Sequence, residues 1–296
     1  MYFPQPYPDE LLGSLFIRAC HHLAVTPRAL IAVLSEGGDS VPSFIYPSLI
    51  AAIARLTGMS AHEVLWQHTV FPYVSIVLDS TRRDILEAQI LDSDAPGSSL
   101  RLRSTFPSHI SALSFRRSCE VCQRHDRTTW GEDYWHRIHT LPGVLVCPIH
   151  GSPLLISHVP LLAQITQEHN RLPHELDFDR RRWPASEPTL RDLASEVKAA
   201  LRCEINAWDY CLQSCQNAAT SRGYEYGARA KSVNQLAIDF EHYFGSRLLE
   251  ELGLPLLTCS SDAWPVELLR GRRPAMQLQL RLILLRSFLL DHAAQS

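Results

Sequence analysis

The sequence predicts a mainly α-helical protein in which helical domains of the helix-turn-helix type flank a zinc-ribbon or zinc-finger module. Apolar residues recur at helical spacing near both ends of the chain, and capping residues divide these stretches into short helices. Two Cys/His pairs with metal-ligand spacing lie between them. The predicted boundaries are 1–91 for the N-terminal helical domain, 92–165 for a linker and the zinc module, and 166–296 for the C-terminal helical domain.

The first predicted helix has Pro8, Asp9 and Glu10 in its first turn, where a proline ring and acidic charge favour a helix start. Thr26 before Pro27 predicts a capped second helix that runs to Leu34. The apolar stripe of the first helix consists of Leu11, Leu12, Leu15, Phe16 and Cys20.

The next two predicted helices have the spacing of a helix-turn-helix. One is opened by Pro47 and closed by Gly58, and Ser60 with Glu63 forms a capping box for the other. Any tight helical hairpin has the same spacing. Residues 62–67 are therefore open to two interpretations, DNA contact or plain helix packing.

The segment from 92 to 108 is rich in Ser, Asp, Pro and Gly and predicts a linker, and residues 169–188 predict a connector. Helical periodicity then returns in three stretches. One is the stripe of Leu190, Leu193, Val197 and Leu201, one is 233–244, and the last is the apolar C-terminal segment.

Composition fits an ordinary globular protein of about two domains, with 46% hydrophobic and 20% charged residues over 296 positions. The formal net charge of −3 does not suit a free-standing DNA-binding protein, which is usually basic. The sequence contains no apolar run long enough for a membrane span, and its start lacks the pattern of a signal peptide. We therefore expect a cytoplasmic chain whose eight cysteines are reduced.

Cys119, Cys122, Cys147 and His150 form two short knuckles 24 residues apart, a pattern that predicts one structural zinc ion. Four protein ligands would fill the coordination sphere, so the ion would stabilise the fold without activating water. Buried thiols beside a surface histidine are the alternative interpretation. Three other histidines in the region are candidates to replace His150 or to support a ligand. They are His125, His136 and His139.

The other cysteines are scattered. Cys211 and Cys215 lie one turn apart, which fits either a second metal pair or two buried helix thiols. Tyr134 and Trp135 lie between the knuckles, where aromatic side chains serve either as a small core or as a binding surface. Nine arginines are candidate contacts for nucleic acid or for an acidic partner, with a solvated surface as the alternative. They are Arg124, Arg127, Arg137, Arg180, Arg181, Arg182, Arg270, Arg272 and Arg273.

Catalytic signatures are absent from the sequence. There is no phosphate-binding loop of the Gly-x4-Gly-Lys-Ser/Thr type and no Gly-x-Ser-x-Gly elbow. His62-Glu63 and His174-Glu175 each lack the second histidine of a zinc protease helix. We therefore expect a non-catalytic protein.

Three segments carry a resemblance to a known family. Cys119-Glu-Val-Cys122, the Gly131 to Arg137 stretch, and Leu141-Pro-Gly-Val through Cys147-Pro-x-His150-Gly151 resemble the zinc-finger signature of the TniQ/TnsD family. The opening FPQPYPDELL resembles the start of that family, and 240–254 with Trp264 resembles the part after the finger in TnsD-type members.

The resemblance implies a transposition accessory protein that selects a target and recruits the AAA+ regulator TnsC. Some members read an attachment site in DNA directly, and others dock on a CRISPR RNA-guided effector complex. A second pair of Cys-x2-Cys ligands, present in many members, is missing from 152–161, so one zinc is expected. The short chain and its acidic balance favour the adapter over an autonomous TnsD-type DNA reader. A general zinc-dependent transcription factor is a third hypothesis, and a homodimer is left open.

Overall fold

Helices dominate the architecture, as the sequence predicts. The protein is described here from a computed structural model, in residues 2–35, 42–92, 113–202, 208–227, 233–274 and 276–290. Beyond Asp92, the predicted linker 92–108 lies outside the described residues, as does Cys203. Before the sheet the helices are α1 Leu12–Leu23, α2 Pro27–Leu34, α3 Ile50–Thr57, α4 Ala61–His68, α5 Phe71–Ser75 and α6 Ser80–Leu91.

The middle of the chain combines short strands with one helix. Its elements are β1 Phe115–Ser118, α7 Glu120–Trp130, a 3-10 turn Arg137–Thr140, β2 Leu155–Pro160, a 3-10 turn Pro173–Glu175 and β3 Phe178–Arg180. Six helices follow, namely α8 Glu187–Leu201, α9 Trp208–Ser221, α10 Gln235–Phe244, α11 Ser246–Glu251, α12 Trp264–Leu269 and α13 Leu278–Leu290.

Two of the predicted helix starts are confirmed by their caps. The Thr26 side chain accepts a hydrogen bond from the Ala29 N–H at 3.2 Å. Ser60 Oγ accepts from the Glu63 N–H at 3.1 Å, while the Glu63 carboxylate accepts from the Ser60 N–H at 2.7 Å. These reciprocal bonds satisfy backbone donors that the first turn leaves unpaired. Gly58, with φ of 73°, ends α3 as expected.

Two other predicted starts are wrong. The first helix begins at Leu12, and its first turn contains no acidic residue. Asp9 instead adopts a φ of 57°, and the Glu10 carboxylate turns inward to bind Arg18. Helix α3 begins at Ile50, three residues after Pro47, because Leu49 adopts the left-handed conformation at its N-cap.

The candidate helix-turn-helix pair, α3 and α4, packs together through its apolar faces. Val64 and Leu65 are buried. The Trp66 indole packs edge-on against Phe71 and donates to Glu87 at 3.0 Å, whereas His62 is largely exposed. These contacts favour helix packing for most of 62–67, and DNA contact in this segment stays a prediction.

A three-stranded antiparallel sheet, in the order β1-β2-β3, forms the floor of the central module. Leu155 of β2 pairs with Ser118 of β1 on one side and with Arg180 of β3 on the other. The connector predicted at 169–188 therefore contains a strand. With three residues, β3 is too short for a periodic pattern and depends on its pairing with β2.

The N-terminal segment packs directly on this module. The Leu11 N–H donates to the Trp135 carbonyl at 3.0 Å, and the Arg137 N–H donates to the Asp9 carbonyl at 2.8 Å. The Tyr134 hydroxyl donates to the carbonyl of Pro8 at 2.9 Å. Two backbone hydrogen bonds and one from a side chain therefore join residues 8–11 to the segment between the two knuckles.

The C-terminal helices contact the module and the N-terminal half. In α8, all four residues of the predicted stripe are buried. The Gln279 side chain of α13 donates to the carbonyl of Val74 in α5 at 3.0 Å. Gly143 faces α13 and α8 so closely that a Cβ there would lie 2.9 Å from Leu280 Cδ1 and 3.2 Å from Val197 Cγ2. Among the described residues, no helix is long and apolar enough to cross a membrane.

Candidate metal centre

The first knuckle forms where β1 passes into α7. Cys119 is the N-cap residue of α7, and Cys122 lies in its first turn, so one tight turn directs both sulfur atoms to the same point. The second knuckle is the turn from Cys147 to Gly151. It is closed by the Gly151 N–H, which donates to the Cys147 carbonyl at 2.8 Å, and Gly151 takes a φ of 67°.

The four predicted ligand atoms converge, all within 4.8 Å of one another. His150 Nδ1 lies 3.6 Å from Cys119 Sγ, 3.4 Å from Cys122 Sγ and 3.5 Å from Cys147 Sγ. The sulfur atoms of Cys122 and Cys147 are 3.8 Å apart. In a tetrahedral zinc site, with Zn–S bonds of about 2.3 Å and a Zn–N bond of about 2.0 Å, nitrogen and sulfur ligand atoms lie about 3.6 Å apart and two sulfur atoms about 3.8 Å apart. The distances in this cluster match that geometry.

The donor set and its burial also fit a metal ion. All three cysteines are buried, and only His150 is exposed. Hydrogen bonds from the Cys122 and Cys147 thiols hold the pKa of Cys119 well below its usual range, and the same contacts with Cys119 raise the pKa of Cys122 and Cys147, so the three sulfur atoms share one thiolate. The Ser152 hydroxyl lies 3.2 Å from Cys119 Sγ, within reach to donate to that sulfur. The cluster can therefore hold a metal ion with no open coordination position.

Of the three alternative histidines, His125 and His136 lie away from the four converging ligand atoms. His125 is exposed on α7. His136 Nε2 is 2.9 Å from the Asp126 carboxylate. Burial opposes protonation of His136, but the hydrogen bond to Asp126 and the nearby Asp9 carboxylate, 3.8 Å from Nδ1, outweigh it and raise the pKa of His136 to about 9.

His139 is the alternative nearest to the cluster. Its ring is fully buried, and its Nε2 lies 3.9 Å from Cys122 Sγ. Burial, with the charge of His136 as a second cause, lowers the pKa of His139 to about 3, so its imidazole is neutral. The His139 ring therefore packs against the Cys122 sulfur, whereas His150 is the histidine that lies within the four-residue cluster.

A buried arginine supports the loop between the knuckles. Arg117, the β1 residue two positions before Cys119, donates to the Val144 carbonyl at 2.8 Å and to the Leu141 carbonyl at 3.1 Å. These bonds link the approach to the first knuckle with the approach to the second. The sequence did not predict that Arg117 would bind these carbonyls, because two consecutive arginines in a short strand are typical of a solvent-exposed surface.

The aromatic residues between the knuckles belong to the core. Trp135 is buried, packs edge-on against Phe44 and donates its indole N–H to the Arg171 carbonyl at 2.9 Å. Tyr134 is also buried, whereas Trp130 is partly exposed and stacks on Tyr7. For Trp135 the packing interpretation is therefore favoured.

The arginines near the module have different environments. Arg137 is buried, and its guanidinium donates to Asp9 and to the carbonyls of Trp66 and Thr69. Arg127 pairs with the buried Asp133 at 2.5 Å.

Two further arginines share one carboxylate. Arg124 and Arg180 approach opposite oxygens of Glu120, at 3.5 Å and 2.7 Å. Arg181 pairs with Glu251. Arg182 is exposed and has no ion-pair partner in the described part of the chain.

The C-terminal arginines are held by neighbouring side chains and carbonyls. Arg270 donates to the carbonyls of Tyr226 and Gly227, each at 2.7 Å, and to Glu267. Arg272 also pairs with Glu267, and Arg273 lies over the Trp208 ring at 4.5 Å. Cys211 and Cys215 of α9 are buried, in keeping with the interpretation as helix thiols.

Comparison with known proteins identifies the family. The TniQ family model matches residues 1–154, just over half of the chain and all four candidate ligands. The chain belongs to the TniQ family. This TniQ protein is also 30% identical over 156 residues to the Tn7 transposition protein TnsD of Escherichia coli. That alignment covers 51% of the TniQ chain and 30% of the TnsD chain.

Proposed function

We propose that this TniQ protein is a target-selection adapter of transposition. In this role it links a target-site complex to an AAA+ regulator of the TnsC type. The target-site complex would be either a CRISPR RNA-guided effector or attachment-site DNA. The observation that carries the proposal is the family match over 1–154, which spans both knuckles and the N-terminal segment packed on them.

The Tn7 relative supports the link to transposition, since its name describes a transposition protein. Breakage and joining of DNA are assigned to a separate transposase, and we propose no catalytic role for this chain. The chain would act in the cytoplasm and join the nucleoid when assembled on DNA.

For the metal, we propose one structural zinc held by Cys119, Cys122, Cys147 and His150. The sulfur-rich donor set favours zinc over hard cations such as magnesium or calcium, which prefer oxygen ligands. Once bound, the ion would cross-link the two knuckles and so stabilise the module.

For the domain organisation, we retain boundaries of 1–91, 92–165 and 166–296 as a proposal. Limited proteolysis of the zinc-loaded chain tests it. Cleavage is expected within the predicted linker 92–108, at the start of the second proposed domain, and cleavage inside 113–165 would contradict these boundaries. Sedimentation of the intact chain would decide between monomer and homodimer.

The first functional test is association with the cognate TnsC-type ATPase in the presence of ATP. The wild-type chain is expected to co-elute with the ATPase in gel filtration, and Cys119→Ser is expected to lose this association. Cys259→Ser is the matched control, because Cys259 lies away from the cluster and its thiol donates to Glu241. Failure of the wild-type chain to associate would contradict the adapter proposal.

An autonomous TnsD-type DNA reader is the alternative, favoured by the similarity to TnsD. A DNA mobility shift at physiological salt separates it from the adapter. The purified chain is offered attachment-site duplex and scrambled duplex. A site-specific shift would establish direct reading, whereas equal or absent binding would favour a partner that supplies the target.

A further inference from the structure

A cleft of about 290 Å³ lies beside the first knuckle, between the start of α7 and the end of β3. Its floor is apolar and comprises Val121, Leu154 and Leu155. Arg180, Arg181 and Arg182 line one side. The metal cluster, the cleft and the arginine run therefore share one face of the module.

The arginines around the cleft differ in whether an acidic side chain already binds them. Arg180 binds the Glu120 carboxylate at 2.7 Å, which shows that a carboxylate fits at this rim. Arg181 is occupied by Glu251. Arg182 is exposed without a carboxylate partner among the described residues, and Arg124 meets Glu120 only at 3.5 Å. A planar guanidinium in this state is suited to binding a carboxylate in a two-pronged geometry.

The apolar floor of the cleft sets a second requirement for a ligand, which must also supply an apolar group. Leu155 begins β2, Leu154 directly precedes it, and both are buried, so the half-buried Val121 has the largest exposed fraction of the three floor residues. A volume of about 290 Å³ lies at the lower end of ligand sites, which run from roughly 300 to 1,000 Å³. It accommodates one large apolar side chain with its neighbouring backbone.

These features favour a peptide over a nucleic acid. A groove that follows a phosphate backbone needs continuous positive charge, whereas here Glu120 lies at the rim. An apolar floor beside Arg182, whose guanidinium has no carboxylate partner among the described residues, instead matches an apolar residue next to an acidic one.

We propose that this cleft binds a short acidic peptide segment of a protein partner. One apolar side chain of the segment lies on Val121, Leu154 and Leu155. A neighbouring carboxylate binds Arg182 and those N–H groups of Arg180 that Glu120 does not engage. The inference deepens the adapter proposal and relies on it for the existence of a protein partner. It does not depend on which partner that is.

The direct test uses the full zinc-loaded chain with a set of short peptides in which Leu, Ile, Phe or Met is flanked by aspartates. Methyl NMR of Val121, Leu154 and Leu155 reports occupation of the floor. At least one peptide is expected to shift these signals with a dissociation constant of about 1 mM or tighter. The same peptide with asparagine in place of aspartate, or with serine in place of the apolar residue, is expected to bind several-fold more weakly.

Arg182→Glu is expected to weaken peptide binding by about fivefold or more, the size of a lost carboxylate contact at a partly exposed site. Arg28→Glu is the matched control, because Arg28 is exposed on α2 and makes no ion pair in the part of the chain that the structure describes. It should bind the peptide as the wild-type chain does, with the same methyl shifts.

Three results would overturn the proposal. One is that no peptide shifts the floor methyl groups, and another is that aspartate and asparagine peptides bind equally. The third is that duplex DNA shifts the same methyl groups and displaces the peptide, and that Arg182→Glu abolishes this DNA binding. That result would make the cleft a nucleic-acid site. If the ATPase associates but no peptide enters the cleft, the docking site alone is wrong. If neither binds, the adapter proposal fails as well.

Discussion

Arg18 of α1 donates from its Nε to the Glu132 Oε1 at 2.9 Å and so joins the first helix to the segment between the two knuckles. Its Nη1 binds the Glu10 carboxylate at 2.6 Å, and both Arg18 and Glu10 are fully buried. Glu10 also accepts from the Tyr7 N–H and from the Ser14 hydroxyl, each at 3.0 Å. All three donors to the buried Glu10 carboxylate come from the N-terminal segment, and Arg18 extends this network to Glu132 between the knuckles.

Removal of the arginine should destabilise the protein strongly. Arg18→Met would leave Glu10 buried and without its cation, and breaking such a pair costs about 3–5 kcal/mol of unfolding free energy. Chemical denaturation followed by circular dichroism measures this change. Arg28→Met, on the exposed side of α2, should change the unfolding free energy by less than about 0.5 kcal/mol.

The double variant Arg18→Met with Glu10→Gln distinguishes the origin of that loss. Burial raises the pKa of Glu10 to about 7 even beside Arg18, so the test belongs at alkaline pH, where the carboxyl that has lost Arg18 is driven to ionise. There the double variant should recover part of the lost stability, because the uncompensated charge is gone. If the double variant is as unstable as Arg18→Met alone, the loss comes from packing, and the electrostatic account is wrong.

Metal content is the second prediction. The purified wild-type chain should contain one zinc per chain by elemental analysis, and Cys119→Ser or Cys147→Ser should contain far less. Cys259→Ser should keep the metal, because its side chain lies outside the cluster. A soluble, zinc-free Cys119→Ser that retains the wild-type melting temperature would contradict a structural metal.

The third prediction concerns pH and His136. Its pKa of about 9 lies above the ordinary 6.5, so the folded state binds the proton more tightly than the unfolded state. The resulting stabilisation is fully present below about pH 6.5 and is lost as the pH rises through about 9. It amounts to something on the order of 3 kcal/mol.

The comparison of wild type with His136→Gln isolates this contribution from other titrations. The wild-type free energy of unfolding should fall more steeply than that of the variant between about pH 6.5 and 9. Urea denaturation of the zinc-loaded proteins across this range provides the measurement. Parallel pH profiles would show that His136 is not charged in the folded protein.

Two glycines offer a matched fourth test. Gly143 and Gly131 both adopt left-handed backbone conformations, with φ of 88° and 84°. A Cβ at Gly143 would lie 2.9 Å from Leu280 Cδ1, whereas nothing lies within 4 Å of a Cβ at Gly131. Gly131→Ala should lose about 1 kcal/mol from backbone strain, and Gly143→Ala should lose about 1–3 kcal/mol more from crowding. Equal losses in thermal denaturation would mean that α13 yields to the added methyl group.

Local signals predicted much of the fold. The Ser60–Glu63 capping box, the Thr26 cap and the Leu190–Leu201 stripe were readable because each depends on residues three or four positions apart. The four candidate ligands that converge in the structure were equally accessible from the sequence, because each knuckle is confined to four residues. In the described residues these elements lie where the sequence indicates.

Contacts between residues far apart in the sequence could not be predicted from the sequence. Pro8, Asp9 and Glu10 match a helix start, yet their backbone and side chains instead contact a segment more than a hundred residues away. The three residues of β3 likewise form a strand only beside β2. In both cases a tertiary partner outweighs the local preference, and a single sequence does not reveal that partner.

The close approach of Gly143 to α8 and α13 has a geometric consequence. Its loop is tied to β1 through Arg117, while Leu11 ties the other side of the module to α1. Helices from both halves of the chain thus share one rigid support. A macromolecule that binds both halves would find them at one fixed separation. The two halves would then lose little freedom of relative orientation on binding, which lowers the entropic cost of association.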